Sequence, residues 1–461
     1  MQRPASAPRV EAGALELDAD GAVLAPRYGD VYASRDGALG QAQHVFLAGN
    51  GLPQRWVPAL PFTILETGFG LGINFLATWQ AWRAAPRRCA RLHYVAVERH
   101  PLLADALERA VPHTLREQFA PLFQPLLAQL LRQWPEAIGG LHRLAFDDGR
   151  VLLTLALGDA ATLVPQLVAG VDGFYLDGFA PERNPQMWSP ALLKAVARLA
   201  RPGATLATWC TARPVRDALA AAGFELELQP GFGRKRDMLR GRYAPRWTVR
   251  RHEPPAPHVG ERRALVIGAG LAGALAADAL ARRDWSVTVL DAANAPAQGA
   301  SALPWGLLHP HVSRDDNRAS QLERAGFRLA LQALARSDAA PRGRWRSCGV
   351  FELASEVVAA QAERVLHEFG LPPSLVRWLD AAAAAERVGA LPRGGGWWYG
   401  QGGSVAVRDW CADLLAHPRI RFCRAAAVVS LERTTEGWSV RGVPPDRSVM
   451  AAPVAIVAAM T

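Results

Sequence analysis

The stretch TILETGFGLGINFLATW, from Thr63 to Trp79, decides the fold of the first half of the chain. An apolar, strand-like run leads into three glycines and then into a helical pattern. Nucleotide-like ligands commonly bind at such a strand, loop and helix. Gly68, Gly70 and Gly72 form GxGxG, which matches neither a Walker A loop nor the GxGxxG of a dinucleotide-binding fold. The stretch therefore predicts a ligand site of another kind.

An acidic residue in front of these glycines restricts the ligand. Glu66 stands two residues before Gly68, and its charge disfavours a phosphate group by repulsion. The glycines permit positive φ and a close approach of the backbone to a ligand. A cationic or neutral nucleoside derivative fits this combination. The alternative is a tight turn that binds nothing.

A second glycine loop follows a second strand-like run, in ALVIGAGLAGALAADAL, residues 264–280. Gly268, Gly270 and Gly273 give GxGxxG, and Asp291 ends the next strand-like run. Together they form the dinucleotide fingerprint, in which the helix N-terminus favours the pyrophosphate and the acid accepts from ribose hydroxyls. The fingerprint predicts a dinucleotide without distinguishing FAD from NAD.

The pattern between the loops indicates two domains. Strand-like and helical runs alternate before residue 250, which predicts an α/β domain with a parallel sheet. Its last two strands, ELELQ and DMLRGRY, follow each other directly and predict one antiparallel edge strand. The proline-rich stretch 251–263 is predicted to be a linker. A second α/β domain occupies 264–461 and ends in the strand-like APVAIV.

The sequence composition argues against a membrane-spanning or secreted protein and against a disulfide-rich or metal-binding one. No uninterrupted apolar run reaches the roughly 18 residues of a membrane span, and the N-terminus lacks an apolar signal core. We therefore expect a cytoplasmic protein without membrane association. Five cysteines without a CxxC pair predict free thiols, with neither a disulfide framework nor a metal site. The net charge of +10, almost entirely from arginine, favours encounter with polyanions, although genomic bias also enriches arginine.

The stretch LETGFGLGINF resembles motif I of S-adenosylmethionine-dependent methyltransferases. The resemblance implies that Glu66, the three glycines of the loop and Asn74 hold the methionine end of the cofactor. It also implies that Glu98 binds the ribose hydroxyls and that Asp159 meets the adenine amine. A lone Asp at a strand–helix junction is more commonly a helix N-cap, which is the alternative for Asp159.

The segment FYLDGFAPERNPQMWSP, residues 174–190, carries the candidate catalytic residues. Asp177 stands at the carboxyl end of the fourth predicted strand, where sites of open α/β sheets lie. A carboxylate there can orient an acceptor amine and take its proton. Phe179 can stack on a base. The alternative is an Asp-Gly turn followed by a proline-fixed loop.

Three segments narrow the resemblance to one family. LDGFAPERNPQMWS (176–189), GFGRKRDML (231–239) and VFLAGNGLPQRW (45–56) closely resemble the bifunctional tRNA 5-methylaminomethyl-2-thiouridine biosynthesis proteins. The resemblance implies a class I methyltransferase-like Rossmann sheet followed by a partial FAD-binding, amino-acid-oxidase-like Rossmann domain. It implies FAD-dependent removal of the carboxymethyl group from 5-carboxymethylaminomethyl-2-thiouridine in tRNA, then methylation of the freed amine with S-adenosylmethionine.

The chain departs from this family in two places. Its GASALPWGLLHPH, residues 299–311, has Leu303 where the family has asparagine, although Ala300 and Ser301 of the implied FAD site remain. The family also continues beyond the position of Thr461. We therefore expect a competent methyltransferase domain and an FAD domain that is incomplete at its C-terminus, with the oxidase step in doubt.

A basic segment supplies the candidate RNA contacts. Its residues are Arg234, Lys235, Arg236, Arg240 and Arg242, with Trp247 nearby. Contact with the phosphates of a tRNA anticodon arm, next to the wobble uridine, is the functional interpretation. A charged edge strand that resists aggregation is the alternative.

Two other functions remain open for a chain that we expect to be a monomer. One is a flavin-dependent small-molecule amine oxidase fused to an unrelated methyltransferase. The other is a non-catalytic RNA-binding remnant.

Overall fold

The computed structural model describes residues 9–115, 119–246, 260–337, 339, 341–442 and 450–459. The chain divides into two compact units. The first comprises Met1–His258 with Glu368–Gly370, and the second comprises Val259–His367 with Leu371–Thr461. Residues 251–259 of the predicted linker, and Trp247, lie outside the described residues.

The first unit contains two sheets. The three short strands of the smaller sheet are β1 (Glu16–Leu17), β2 (Val23–Ala25) and β3 (Asp30–Val31). The eight strands of the larger sheet are β4 (Pro61–Glu66), β5 (Arg91–Glu98), β6 (Gly140–Phe146), β7 (Val151–Leu157), β8 (Val171–Tyr175), β9 (Ala200–Thr208), β10 (Phe224–Pro230) and β11 (Asp237–Tyr243).

The larger sheet has the order β6-β7-β5-β4-β8-β9-β11-β10. Strands β7, β5, β4, β8 and β9 are parallel, which confirms the predicted α/β fold. Strand β11 pairs antiparallel with β9 and with β10, so the antiparallel strand predicted from ELELQ and DMLRGRY is present. It is second from the edge, and β10 is the edge strand. Strand β6 also pairs antiparallel with β7, so the opposite edge carries a hairpin that the sequence analysis missed.

Helices cover both faces of this sheet. Ile64 and Leu65 are neighbours on β4 and both fully buried, yet they belong to different cores, as expected of a strand covered on both sides. The α-helices are α1 (Ala38–Gln41), α2 (Ile73–Ala84), α3 (Ala104–Leu115), α4 (Ala120–Arg132), α5 (Ala160–Leu163), α6 (Pro190–Ala197) and α7 (Arg213–Ala221). A π-helical segment spans Ala42–Leu47, and 3₁₀ turns span Ala48–Asn50, Val164–Gln166 and Pro185–Trp188.

The strands of the second unit are β12 (Arg263–Ile267), β13 (Ser286–Leu290), β14 (Gly306–Leu308), β15 (Trp345–Arg346), β16 (Val350–Leu353), β17 (Arg377–Leu379), β18 (Gly396–Tyr399), β19 (Gly403–Val405), β20 (Ile420–Cys423), β21 (Val428–Thr434), β22 (Gly437–Gly442), β23 (Met450–Ala452) and β24 (Val454–Val457). They form a four-stranded parallel sheet of order β20-β13-β12-β24 and three small sheets. The predicted strand in APVAIV is β24, which pairs with β12.

The helices of the second unit are α8 (Leu271–Ala281), α9 (Arg318–Arg336), α10 (Glu356–Ala359), α11 (Ala362–Glu368), α12 (Ala381–Val388) and α13 (Val407–Leu415), with a 3₁₀ turn at Ala300–Ala302. Among the residues that the structure describes, no helix combines the length and apolar character needed to cross a membrane.

Candidate active sites

A cavity of about 430 Å³ opens at the carboxyl ends of strands β4, β5, β8 and β9. Its volume lies within the range of small-molecule sites. Six of the nine residues predicted for the methyltransferase site line it, and Glu66, Gly72 and Asp159 do not. The six are Gly68, Gly70, Asn74, Glu98, Asp177 and Phe179.

Asp177 is held in place by three hydrogen-bond donors. Its Oδ1 accepts from the indole Nε1 of Trp209 at 3.0 Å and from the backbone N–H of Gly178 at 2.9 Å. Its Oδ2 accepts from Nδ2 of Asn74 at 2.8 Å. Burial raises the pKa of this carboxyl above its ordinary value. The arrangement gives an oriented carboxylate with an increased affinity for a proton.

Glu66 lies beneath the cavity. Its side chain is fully buried, and its Oε1 accepts from Nδ2 of Asn74 at 2.8 Å. Burial, and then the nearby charge of Asp177, raise the pKa of Glu66 well above its ordinary value. Asn74, on the first turn of α2, is therefore the residue that joins the two carboxyl groups.

Glu98 ends β5 and faces the glycine loop. Its Oε2 accepts from the backbone N–H of Gly70 at 2.9 Å, and its Oε1 accepts from the N–H of His100 at 2.7 Å. Gly70 has φ +51°, which is the left-handed conformation that glycine adopts most readily. Each carboxylate oxygen keeps a lone pair for a ligand hydroxyl.

Asp159 lies at a smaller cavity of about 70 Å³ beside the first one. It is the N-cap of α5, with its Oδ1 accepting from the N–H of Ala161 at 2.8 Å. Its Oδ2 is 3.2 Å from Nη1 of Arg99. The structure thus gives Asp159 the capping role that was the alternative, at a position next to Glu98, which lines both cavities.

Phe179 also lines both cavities, together with Tyr28. The two rings are stacked with centroids 4.4 Å apart, and Tyr32 contacts Phe179 edge-on at 5.5 Å. Sequence reasoning missed both tyrosines because Tyr28 lies in the turn between the short strands β2 and β3 and Tyr32 follows β3, where no motif indicates a role.

Trp209 was missed as well, although a signal was available. It follows β9, so the rule that selected Asp177 at the end of β8 also applied to it. Its ring lies under Nζ of Lys235 at 3.8 Å, and both side chains line the cavity.

The predicted RNA-binding residues have different environments. Arg234 and Lys235 line the cavity, and Asp36 accepts from the backbone N–H and the Nε of Arg234 at 2.8 and 3.1 Å. The Arg236 side chain is 94% exposed. Arg240 donates from Nε to the carbonyl of Gly49 at 2.8 Å, which is a packing contact. Arg242 lies opposite Glu225 on the edge strand β10.

The dinucleotide loop of the second unit connects β12 to α8. A Cβ on Gly273 would come within 1.9 Å of the Gly268 carbonyl oxygen, so only glycine permits this helix-to-loop approach. Asp291 accepts from the backbone N–H of Ala269 at 2.6 Å and of Ala293 at 2.8 Å. Gly270 is the N-cap of α8, whose first amides point toward the loop.

Ser301 joins this loop from a distant part of the sequence. Its Oγ accepts from the N–H of Leu271 at 3.0 Å, on the first turn of α8. Ala300 begins the 3₁₀ turn that presents it.

The residues of the first site fit S-adenosylmethionine, and those of the second site fit FAD. Asn74, Glu98 and Asp177 offer oxygen acceptors that suit hydroxyls and a cation, and a Cβ on Gly68 would come within 3.2 Å of the Asp177 carbonyl oxygen. These features suit S-adenosylmethionine. The glycine loop, the N-terminus of α8 and the Asp291 carboxylate suit FAD. Within the described ranges, no three His, Cys, Asp or Glu side chains are arranged to hold a metal ion.

Two family models match separate parts of the chain. A family model described as S-adenosyl-L-methionine-dependent methyltransferase matches residues 121–244. A model described as FAD dependent oxidoreductase matches residues 263–460. Among solved structures, one titled as MNMC2 from Aquifex aeolicus has 21% identity and a TM-score of 0.39, covering 54% of this chain and 75% of its own.

Curated relatives match nearly the whole chain. The tRNA 5-methylaminomethyl-2-thiouridine biosynthesis bifunctional protein MnmC of Cupriavidus necator is 48% identical over 96% of this chain and 67% of its own length. The proteins of the same name from Ralstonia nicotianae and Azoarcus sp. are 48% and 47% identical over 96% and 97% of this chain, and over 67% and 69% of their own lengths. The chain spans about two thirds of these relatives. It therefore belongs to the family of tRNA 5-methylaminomethyl-2-thiouridine biosynthesis bifunctional proteins.

Proposed function

We propose that this chain modifies the wobble uridine of tRNA in two consecutive steps. Residues 264–461 remove the carboxymethyl group from 5-carboxymethylaminomethyl-2-thiouridine with FAD, and residues 1–250 then methylate the freed amine with S-adenosylmethionine. The observation that carries the proposal is the oriented Asp177 carboxylate at the cavity beside the Gly68–Gly72 loop. Family membership supports the tRNA substrate.

The methyltransferase residues divide into those that hold the cofactor and those that hold the acceptor. Bound S-adenosylmethionine supplies a methyl group on a positively charged sulfur. Glu98 accepts hydrogen bonds from the ribose hydroxyls, and Asn74 contacts the methionine end. Asp159 lies where the adenine amine can reach it, beside the smaller cavity.

Asp177 acts as the base that accepts the proton of the acceptor amine. The amine nitrogen can attack a methyl group only with a free lone pair, so its proton must leave. The raised pKa of Asp177 makes the carboxylate a better base than an exposed aspartate. Trp209 and Asn74 orient the two carboxylate oxygens, and Phe179 with Tyr28 provides aromatic surface against which the target base can stack.

The second unit holds the flavin by its backbone. Helix α8 begins after Gly270, so its first amides would face the pyrophosphate, and Asp291 would accept hydrogen bonds from the ribose hydroxyls. Ser301 and Ala300 border the same turn. Bound FAD would supply a hydride acceptor for the carbon between the carboxyl group and the nitrogen. Hydrolysis of the resulting imine by water would release the two-carbon unit as glyoxylate and leave the aminomethyl group on the uridine.

Electrostatic attraction between basic side chains and phosphates brings the tRNA to the first unit. Arg234 and Lys235 at the cavity and the exposed Arg236 beside them are suited to contact phosphates of the anticodon arm. The reaction belongs in the cytoplasm, and we take the working unit to be a monomer.

Nucleoside analysis tests the proposal. Full-length protein is incubated with S-adenosylmethionine and tRNA that carries 5-aminomethyl-2-thiouridine at the wobble position, and the digested nucleosides are weighed by mass spectrometry. The proposal expects that nucleoside to gain one methyl group, while tRNA with an unmodified wobble uridine gains none. An unmethylated product from folded protein that binds S-adenosylhomocysteine would contradict it.

A further inference from the structure

The amide of Asn74 connects two carboxyl groups. Its Nδ2 donates to Oε1 of Glu66 and to Oδ2 of Asp177, each at 2.8 Å. An amide nitrogen has two hydrogens, so these contacts use both of them. Because both acceptors lie on the nitrogen side, the orientation of the amide is determined, and its Oδ1 is directed away from the two carboxyls.

Asn74 and Glu66 differ in their access to the cavity. Asn74 lines the cavity, whereas Glu66 does not line it and is 0% exposed. Within the described part of the chain, Oδ1 of Asn74 has no hydrogen-bond partner, so it is available to a ligand donor. A buried carboxyl whose pKa is raised well above its ordinary value is moreover a poor partner for a cation.

We propose that Oδ1 of Asn74, and not the carboxylate of Glu66, accepts the hydrogen bond from the ammonium group of the bound methionine moiety. Glu66 is then a positioning residue that acts through Asn74. The assignment rests on the proposed function of this cavity, and it replaces the direct contact that motif I implied for Glu66. It also explains why the acidic residue of the loop is sealed from solvent.

Two ligands that differ only in the ammonium group test the assignment. The probes are S-adenosylhomocysteine and its analogue that lacks the amino group, and binding to the full chain is measured by calorimetry. The wild-type protein should prefer the amine by about 10- to 100-fold, as for a hydrogen bond to a charged group. Asn74→Ala should reduce this preference to within about threefold of equal binding.

Variants of Glu66 separate positioning from direct contact. Glu66→Ala leaves the Asn74 amide free to rotate and should lose most of the preference. Glu66→Gln keeps an acceptor for Nδ2 of Asn74 and should restore the preference, although it carries no charge. A preference lost in Glu66→Gln but kept in Asn74→Ala would overturn the assignment.

The comparison remains decisive if Glu66→Ala does not fold, because Glu66→Gln and Asn74→Ala give opposite predictions. Failure of the wild-type protein to bind S-adenosylhomocysteine would instead refute the proposed function of the cavity. Binding without a preference for the amine, in otherwise active protein, would refute the Asn74 assignment alone.

Discussion

The indole Nε1 of Trp209 donates a 3.0 Å hydrogen bond to Oδ1 of Asp177. The two residues follow neighbouring parallel strands, β9 and β8, so the sheet itself brings them together. One face of the same indole contacts the ammonium of Lys235. Trp209 thus links the proposed base to the basic wall of the cavity.

Replacing Trp209 by phenylalanine should slow methyl transfer while preserving the aromatic surface. Loss of a hydrogen bond to a charged carboxylate corresponds to a decrease of about 10- to 100-fold in the single-turnover rate. Affinity for S-adenosylhomocysteine should change by less than about threefold, because the bond positions Asp177 and does not hold the cofactor.

Trp82→Phe is the matched control for this variant. It also removes a tryptophan Nε1 hydrogen bond, here to the carbonyl of Cys89 at 3.0 Å, but between two buried residues that do not line the cavity. It should lower stability and leave the transfer rate unchanged. Equal slowing in both variants would show that Trp209 acts only through the fold.

Glu66→Gln should stabilise the first unit increasingly as the pH rises. Because the folded-state pKa of Glu66 is raised, the folded chain holds this proton more tightly than the unfolded chain. Above the unfolded pKa, wild-type stability therefore falls with pH until the folded pKa is reached, by at most about 1.4 kcal/mol per pH unit. Glutamine does not titrate, so the difference in melting temperature, measured by calorimetry, should grow across this window. A difference independent of pH would contradict the buried, proton-binding state of Glu66.

Arg236→Ala should change the salt dependence of tRNA binding, whereas Arg240→Ala should change only the stability of the protein. The exposed Arg236 can meet a phosphate, so its loss should reduce the slope of log affinity for tRNA against log salt by about 0.7 to 0.9. Arg240 donates to the Gly49 carbonyl, so its loss should cost about 1 kcal/mol of stability and leave the salt slope unchanged. The reverse pattern would assign the phosphate contact to Arg240.

Asp291→Ala should weaken flavin binding by the second unit. The variant loses the ribose acceptor and the hydrogen bonds from Ala269 and Ala293 that shape the glycine loop. After incubation with FAD and gel filtration, the visible flavin absorbance per protein should fall at least about tenfold. Asp409→Ala, at an exposed position on α13, is the control and should retain the wild-type absorbance. Equal flavin content in both variants would remove Asp291 from the site.

Features that depend on local sequence were predictable. The strand, glycine loop and helix at both ligand sites follow from residues that are close in the chain, as does the position of Asp177 at the end of β8. The hairpin β6–β7 was missed because the LHRLAF run of β6 was not recognised as a strand before VLLTLAL.

Contacts between distant residues were not predictable from one sequence. Asp36 and Arg234 meet across 198 residues, and nothing in either segment indicates the other. The same holds for Arg240, a candidate RNA-binding residue, whose Nε donates to the carbonyl of Gly49. Glu66 was correctly placed at the loop, but only the folded chain shows that Asn74 stands between it and the cavity.

The most direct test of the proposed methyl transfer is its single-turnover rate as a function of pH, for wild type and Asp177→Asn, on tRNA carrying the wobble aminomethyl group. The wild-type rate should rise with pH through the raised pKa of Asp177, because only the carboxylate accepts the amine proton. Asp177→Asn should be slower by at least about 100-fold and should lack that part of the profile, while still binding S-adenosylhomocysteine. The same rate and the same profile in both proteins would contradict the role of Asp177 as the base.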